Sequence, residues 1–212
     1  MPTASSSGDG RRGRPRLAVI VPTGEGGATL ARVTPLPSGA TSLLSVIGDF
    51  RPLAGSGRCA DLTAANGPIA RVAGAPGGAF DFGFDVSPGT DRGWEAAIVL
   101  GLIARRDGLA DLVTPNEADV VIVAHGSVDA DLRLGTDGIA APERSSSTRW
   151  PGLDDDPGKR VLHLGVAVRG AAADGAGVDR LDPATVAALI AGREVRGGGD
   201  EPRKPRSVAA VV

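Results

Sequence analysis

The stretch GAFDFGFDVSPGTDRGWEAAIVLGLIARRDG, residues 78–108, changes its hydrophobic period from two to helical within a few residues. Phe80, Phe82, Phe84 and Val86 alternate with Asp81, Gly83 and Asp85, the pattern of a strand that buries one face. From about Trp94 to Arg106 apolar residues recur on nearly every side, so the spacing predicts a helix covered all round rather than one lying on the surface. Arg105 and Arg106 complement the C-terminal end of its dipole, and Gly108 can stop it.

Working outward, RLAVIVP from Arg16 reads as a first strand. TLARVTPL reads as a second, with Leu30, Val33 and Leu36 only loosely in alternation. TSLLSVIGDF, residues 41–50, fits a strand or a short helix. CADLTAANGPIARVAG, residues 59–74, holds Asn-Gly between two apolar runs, which predicts a hairpin because a tight turn needs residues that tolerate positive φ. ADVVIVAHGSVDADLRL predicts a buried strand from Val120 to Ala124, a turn and an alternating return strand. RVLHLGVAV adds another strand. LDPATVAALIAGR predicts a closing helix, with Asp182 as cap, Pro183 at the first helical position and Val186, Leu189 and Ile190 on one face. Strands, a buried helix, a two-stranded unit, then a strand and a closing helix make an α+β order with a mixed sheet. A single domain is expected over residues 16–196, with tails at 1–15 and 197–212 too polar or too short of apolar residues to offset their ordering entropy.

Composition bounds the function. The 212 residues suit one domain, and with 42% hydrophobic residues but only 3% aromatic and no Tyr the core must come from Ala, Val, Leu and Ile. A net charge of -2 gives no field that would draw the chain to nucleic acid or an anionic membrane. The RRGRPR cluster reads as part of a solvated tail. Cys59 is alone, which excludes an intrachain disulfide and multi-cysteine metal sites, fits a reducing compartment, and suits a small buried residue. Apolar runs such as WEAAIVLGLIA fall short of the roughly 20 residues that span a bilayer. The N-terminal apolar run is also too short for a signal peptide, so a cytoplasmic protein is expected. His125 and His163 stand at no ligand spacing, GLDDDPGK lacks the second acidic element of a calcium loop, and the Gly-rich segments match no phosphate-binding loop, so neither metal nor cofactor is expected.

From Phe80 onward, VSPGTDRGWEAAIVLGLIA, DVVIVAHGSVDADLRL and VDRLDPATVAALIAG resemble, in pattern, the proteolytic domain of the Lon proteases. That resemblance implies a ribosomal protein S5 domain 2-like fold, with a buried central helix and a C-terminal helix. It also implies a Ser at the start of the central helix activated by a Lys after the return strand. Here Gly93, Trp94 and Glu95 stand where the Ser would be, and GTDGIAAPER holds no Lys. Thr90 reads as a substitute hydroxyl or, after Pro88 and Gly89, equally as a turn residue, and Lys159 is the nearest downstream amine, out of the family's place for it. TGEGGATLARV and TSLLSVI are similar to segments of formaldehyde-activating enzyme, which has the same fold. The His that family uses as acid/base is replaced by Arg32, which cannot exchange a proton near neutral pH.

Within SPGTDR, Asp91 precedes a helix and reads as an N-cap, or, with Arg92 and the exposed amides, as an anion or substrate site. His125 ends a buried strand before Gly126, Ser127 and Asp129; it suits a general base, with Ser127 as a substrate contact, or a plain turn. His163 reads as a structural strand residue. With the dyad missing, the expectation is a non-peptidase binding or assembly module whose protein partner docks through a tail or the 144–159 loop. The alternatives are a divergent peptidase using Thr90 with Lys159 and a small-molecule enzyme using His125 with Asp91.

Overall fold

The computed structural model describes residues 13–23, 26–49, 51–74, 77–137, 158–165 and 178–193. In chain order the elements are β1 (Arg16–Thr23), β2 (Gly26–Pro35), β3 (Leu43–Val46), α1 (Ser56–Thr63), α2 (Pro68–Ala73), β4 (Phe80–Phe84), α3 (Glu95–Arg106), β5 (Asp111–Leu112), β6 (Val120–His125), β7 (Ser127–Val128), β8 (Leu134–Gly135), β9 (Arg160–Gly165) and α4 (Pro183–Ala191). Six strands form a mixed sheet in the order β3-β4-β2-β1-β6-β9, and β5 pairs with the start of β1. β6 runs parallel to both β1 and β9, whereas β2 is antiparallel to β1 and β4. The chain is therefore α+β with a mixed sheet, as its element order predicts.

All four helices contribute to the main core on one face of the sheet, together with Leu17, Val19 and Val21 of β1 and Val120, Ile122 and Ala124 of β6. The alternate residues Ala18, Ile20 and Val121 form a smaller cluster with Ala118 on the other face. Burial on both faces explains why β1 and β6 read as continuous apolar runs. α3 lies between sheet and α4, and every residue from Glu95 to Ala104 is buried. A Cβ on Gly101 would overlap Leu30, so the helix packs closely on β2 at that point. The end of α3 is as predicted: Gly108 takes φ 62° and the N–H of Leu109 closes onto the carbonyl of Ala104.

The loose alternation in β2 has a local cause. Leu30 pairs with Phe84 but Arg32 with Gly83, so one extra residue bulges from β2 and brings Leu30 and Val33 to the same buried face. Residues 43–46 form a strand whose outer edge is occupied: Leu44 N–H donates to Ser56 Oγ, and Leu44 C=O accepts from Leu53 N–H.

Three expectations are corrected. Residues 59–74 form no hairpin but parts of α1 and all of α2, with Asn66 and Gly67 in the turn between them and Pro68 opening α2. Among the described residues no return strand follows β6 in the main sheet; β7 and β8 form a separate two-stranded sheet, around a turn in which Asp129 Oδ1 accepts from the N–H groups of Asp131 and Arg133. Val86 lies past the end of β4 and is exposed. Asp182 does cap α4, accepting from Thr185 N–H at 2.8 Å. Among the described residues no helix is long and apolar enough to cross a membrane. The tail residues before 13 and after 193, and residues 138–157 with most of the 144–159 loop, lie outside the described part.

Candidate functional site

The junction between β4 and α3 is built from its own side chains. Asp91 Oδ1 accepts from Gly93 N–H at 3.0 Å, closing an Asx turn two residues on rather than capping the helix. The cap position belongs to Trp94, which makes no side-chain cap bond. Glu95 N–H donates to Arg92 C=O and Ala96 N–H to Gly126 C=O. With the amides of Gly93, Glu95 and Ala96 already engaged, the expected cradle of exposed helix N-terminal amides is not there.

Side chains supply the donors instead. Glu95 opens α3 and is fully buried, and a carboxylate there gains from the helix dipole but must be paired. Its Oε1 accepts from Arg58 Nε at 3.1 Å and from Arg92 Nε at 2.5 Å. Its Oε2 accepts from Arg92 Nη2 and Val128 N–H, each at 2.9 Å. Nη2 of Arg58 and Nη2 of Arg92 both donate to Val128 C=O, at 2.9 and 3.2 Å. The carboxylate is thereby saturated, α1, α3 and β7 are tied together, and bonding to Glu95 holds the Arg92 pKa above its ordinary value.

Outside this cluster opens a pocket of about 390 Å³ lined by Gly55, Arg58, Thr90, Asp91, Arg92 and Trp94. The side chains of Arg58 and Arg92 are each about one-third exposed, at 33% and 35%. Their inner edges are fixed by Glu95 and Val128, while Nη1 of each carries no hydrogen bond among the described residues. The indole N–H of Trp94 is buried without a hydrogen-bond partner among the described residues, beneath the backbone of Gly55.

The structure brings Thr90, Asp91 and Arg92 to one pocket and sets His125 beside Asp91. A Cβ on Gly93 would overlap the His125 ring and lie 3.2 Å from Asp91 Oδ1, so only glycine fits between the two. Burial pushes the His125 pKa below 6.5, with Asp91 opposing, so the ring is mainly neutral at pH 7. Ser127 is 2% exposed within β7, which removes it from ready contact with a substrate.

Lys159 does not join them. It precedes β9, six residues from Gly165, the partner of His125, which at roughly 3.3 Å per residue places it about 20 Å away at the other end of the sheet. His163 is exposed on β9. Arg32 is engaged with Asp81 on the sheet, at 2.6 Å. Cys59 is buried and its thiol pKa is pushed up to about 12, chiefly by desolvation, so it offers no nucleophile. Among the described residues no group of three His, Cys, Asp or Glu side chains could hold a metal ion.

Sequence reasoning missed Arg58 and Glu95. Glu95 was signalled, being the one charge inside WEAAIVLGLIA, where an all-round buried helix demands a partner for it. Arg58 carried no signal, because its partner lies 37 residues away in another element. Neither a protein family, nor a curated protein, nor a solved structure matches the chain.

Proposed function

We propose that the chain is a binding module rather than a peptidase, built on an S5 domain 2-like variant of the α+β fold, and that its ligand seats in the pocket before α3. The carrying observation is the pair of guanidinium groups that line the pocket, whose inner edges are pinned by Glu95 and Val128 and whose Nη1 groups make no hydrogen bond among the described residues. A buried ion cluster is weak evidence for stability, since apolar residues of similar volume commonly serve as well. Its fit to the cavity wall supports recognition. The strands-first order, the buried α3 and the closing α4 support the fold reading. Against the peptidase stand Trp94 and Glu95 at the helix start and the roughly 20 Å of β9 between Lys159 and Gly165, the partner of His125. Docking of a protein partner through the tails or the 144–159 loop involves mainly residues outside the described part; the pocket is the route that the described residues support.

Acid/base chemistry by His125 with Asp91 is a second reading, favoured by their approach around Gly93. Screening the full chain against small polar fragments by amide NMR tests the first reading. Fragments that bind should move the amides of residues 55–58 and 90–95 and leave Arg160–Leu164 unmoved. Hydrolysis of casein that disappears in Thr90→Ala or Lys159→Ala would overturn it, as would a screen with no response at the pocket.

A further inference from the structure

The binding reading leaves the ligand's class open, and the hydrogen-bonding groups of the pocket wall narrow it. Arg58 and Arg92 each turn the Nε–Nη2 edge of the guanidinium group toward the same two acceptors, Glu95 Oε1 and Val128 C=O. Shared acceptors make the two cations neighbours, and like charges held close repel unless anions match them. Glu95 is already saturated by four donors, so one buried carboxylate serves two cations. Asp137 adds a weaker pull on Arg92, by charge alone. Arg58 has no carboxylate other than Glu95 within ion-pair distance among the described residues. Asp91 shares the wall, but its carboxylate is engaged within the chain.

The unmatched groups at this wall are donors. Nη1 of each arginine makes no hydrogen bond among the described residues, and behind the same wall the buried indole N–H of Trp94 has no partner there either. Donors call for a ligand that accepts, and guanidinium N–H groups suit the planar oxygens of a carboxylate. Gly55, at φ 93°, keeps the space over the indole edge open, since a Cβ there would lie 2.8 Å from Trp94 Cζ2. A volume of about 390 Å³ lies at the small end of ligand sites.

Resting on the binding reading, we infer that the pocket takes a small monocarboxylate, its oxygens on Nη1 of Arg58 and of Arg92 and its apolar body against Gly55 and Trp94. A single negative charge completes the match that Glu95 begins, whereas a dianion exceeds it.

The test uses four probes on the full chain, followed by amide NMR and calorimetry: isovalerate, its uncharged isostere isovaleramide, isoamylamine, which carries the opposite charge, and sulfate, a dianion without an apolar body. Isovalerate should move the amides of residues 55–58 and 90–95 and bind at least about tenfold more tightly than isovaleramide, the loss expected when a charge-assisted hydrogen bond is replaced by a neutral one. Isoamylamine should leave those amides unmoved, and sulfate should bind more weakly than isovalerate. Arg58→Met should weaken isovalerate by about tenfold. Should that variant fail to fold, Arg58→Lys keeps a cation opposite Glu95 but lacks the Nη1 donor, and the same loss is expected of it. Isovaleramide or isoamylamine binding as tightly as isovalerate, sulfate binding most tightly, or undiminished isovalerate binding in the Arg58 variant overturns the assignment. Silence from all four probes, with other fragments still shifting residues 55–58 and 90–95, removes the monocarboxylate class and leaves the binding reading standing. Silence from probes and fragments alike removes both.

Discussion

Two ends of two helices use arginine in opposite ways. At the C-terminus of α4, Nη2 of Arg160 donates to the carbonyls of Leu189 and Ile190, at 2.5 and 2.6 Å. Gly192, at φ 72°, leaves no room beside the guanidinium: a Cβ there would overlap Nη1. Burial without a carboxylate pushes the Arg160 pKa down. At the N-terminus of α3, two guanidinium groups share one buried carboxylate, the Arg92 pKa is pushed up, and a cavity remains. A cation that satisfies helix carbonyls at its dipole's negative end serves the fold. Two cations oriented by one anion beside a cavity are the arrangement on which the proposed binding function rests. Filled space marks the first case and open space the second.

Substitutions should separate the two ends, and the largest effect belongs to Glu95. Glu95→Gln leaves Arg58 and Arg92 without their counterion, and urea denaturation should report a loss of about 3–5 kcal/mol, the usual result of breaking a buried pair by removing one partner. Gly192→Ala forces a side chain into a left-handed backbone and onto Arg160, and should cost about 1–3 kcal/mol in the same assay while leaving pocket binding unchanged. Asp182→Ala removes the cap from α4 and should cost about 1 kcal/mol, again without effect on the pocket.

The smallest effect is a pH dependence. Because burial lowers the His125 pKa in the folded state, the unfolded chain binds the proton more readily as pH falls below 6.5. Stability should therefore decline as pH drops from 6.5 through the depressed folded value. His125→Asn should flatten that part of the curve. An unchanged curve would mean that His125 is hydrated like a free side chain.

The α3 half of the molecule was legible because its signals are local. Alternation in Phe80–Phe84, the all-round apolar run of α3, and Asp182-Pro183 before α4 each declare an element within one window. The misreading at 59–74 has a physical source as well. α1 and α2 have eight and six residues, too short to display a helical period, and a turn between short helices accepts Asn66-Gly67 as readily as a hairpin does. The bulge in β2 disturbed the alternation that would have fixed its register. That Thr90, Asp91 and Arg92 share one pocket follows from their being consecutive, and His125 reaches Asp91 from the end of β6. The Arg58–Glu95 pairing joins elements with no sequence relation, and only packing reveals it.

A double-mutant cycle on unfolding free energy tests most directly whether Glu95 holds the pocket arginines, comparing Glu95→Gln, Arg58→Met and the double variant. The double variant should lose at least about 1 kcal/mol less than the two single losses added together, since each single change strands the other's partner. Losses that add to within about 0.5 kcal/mol would mean the two groups do not interact, and would contradict the pinned-guanidinium pocket.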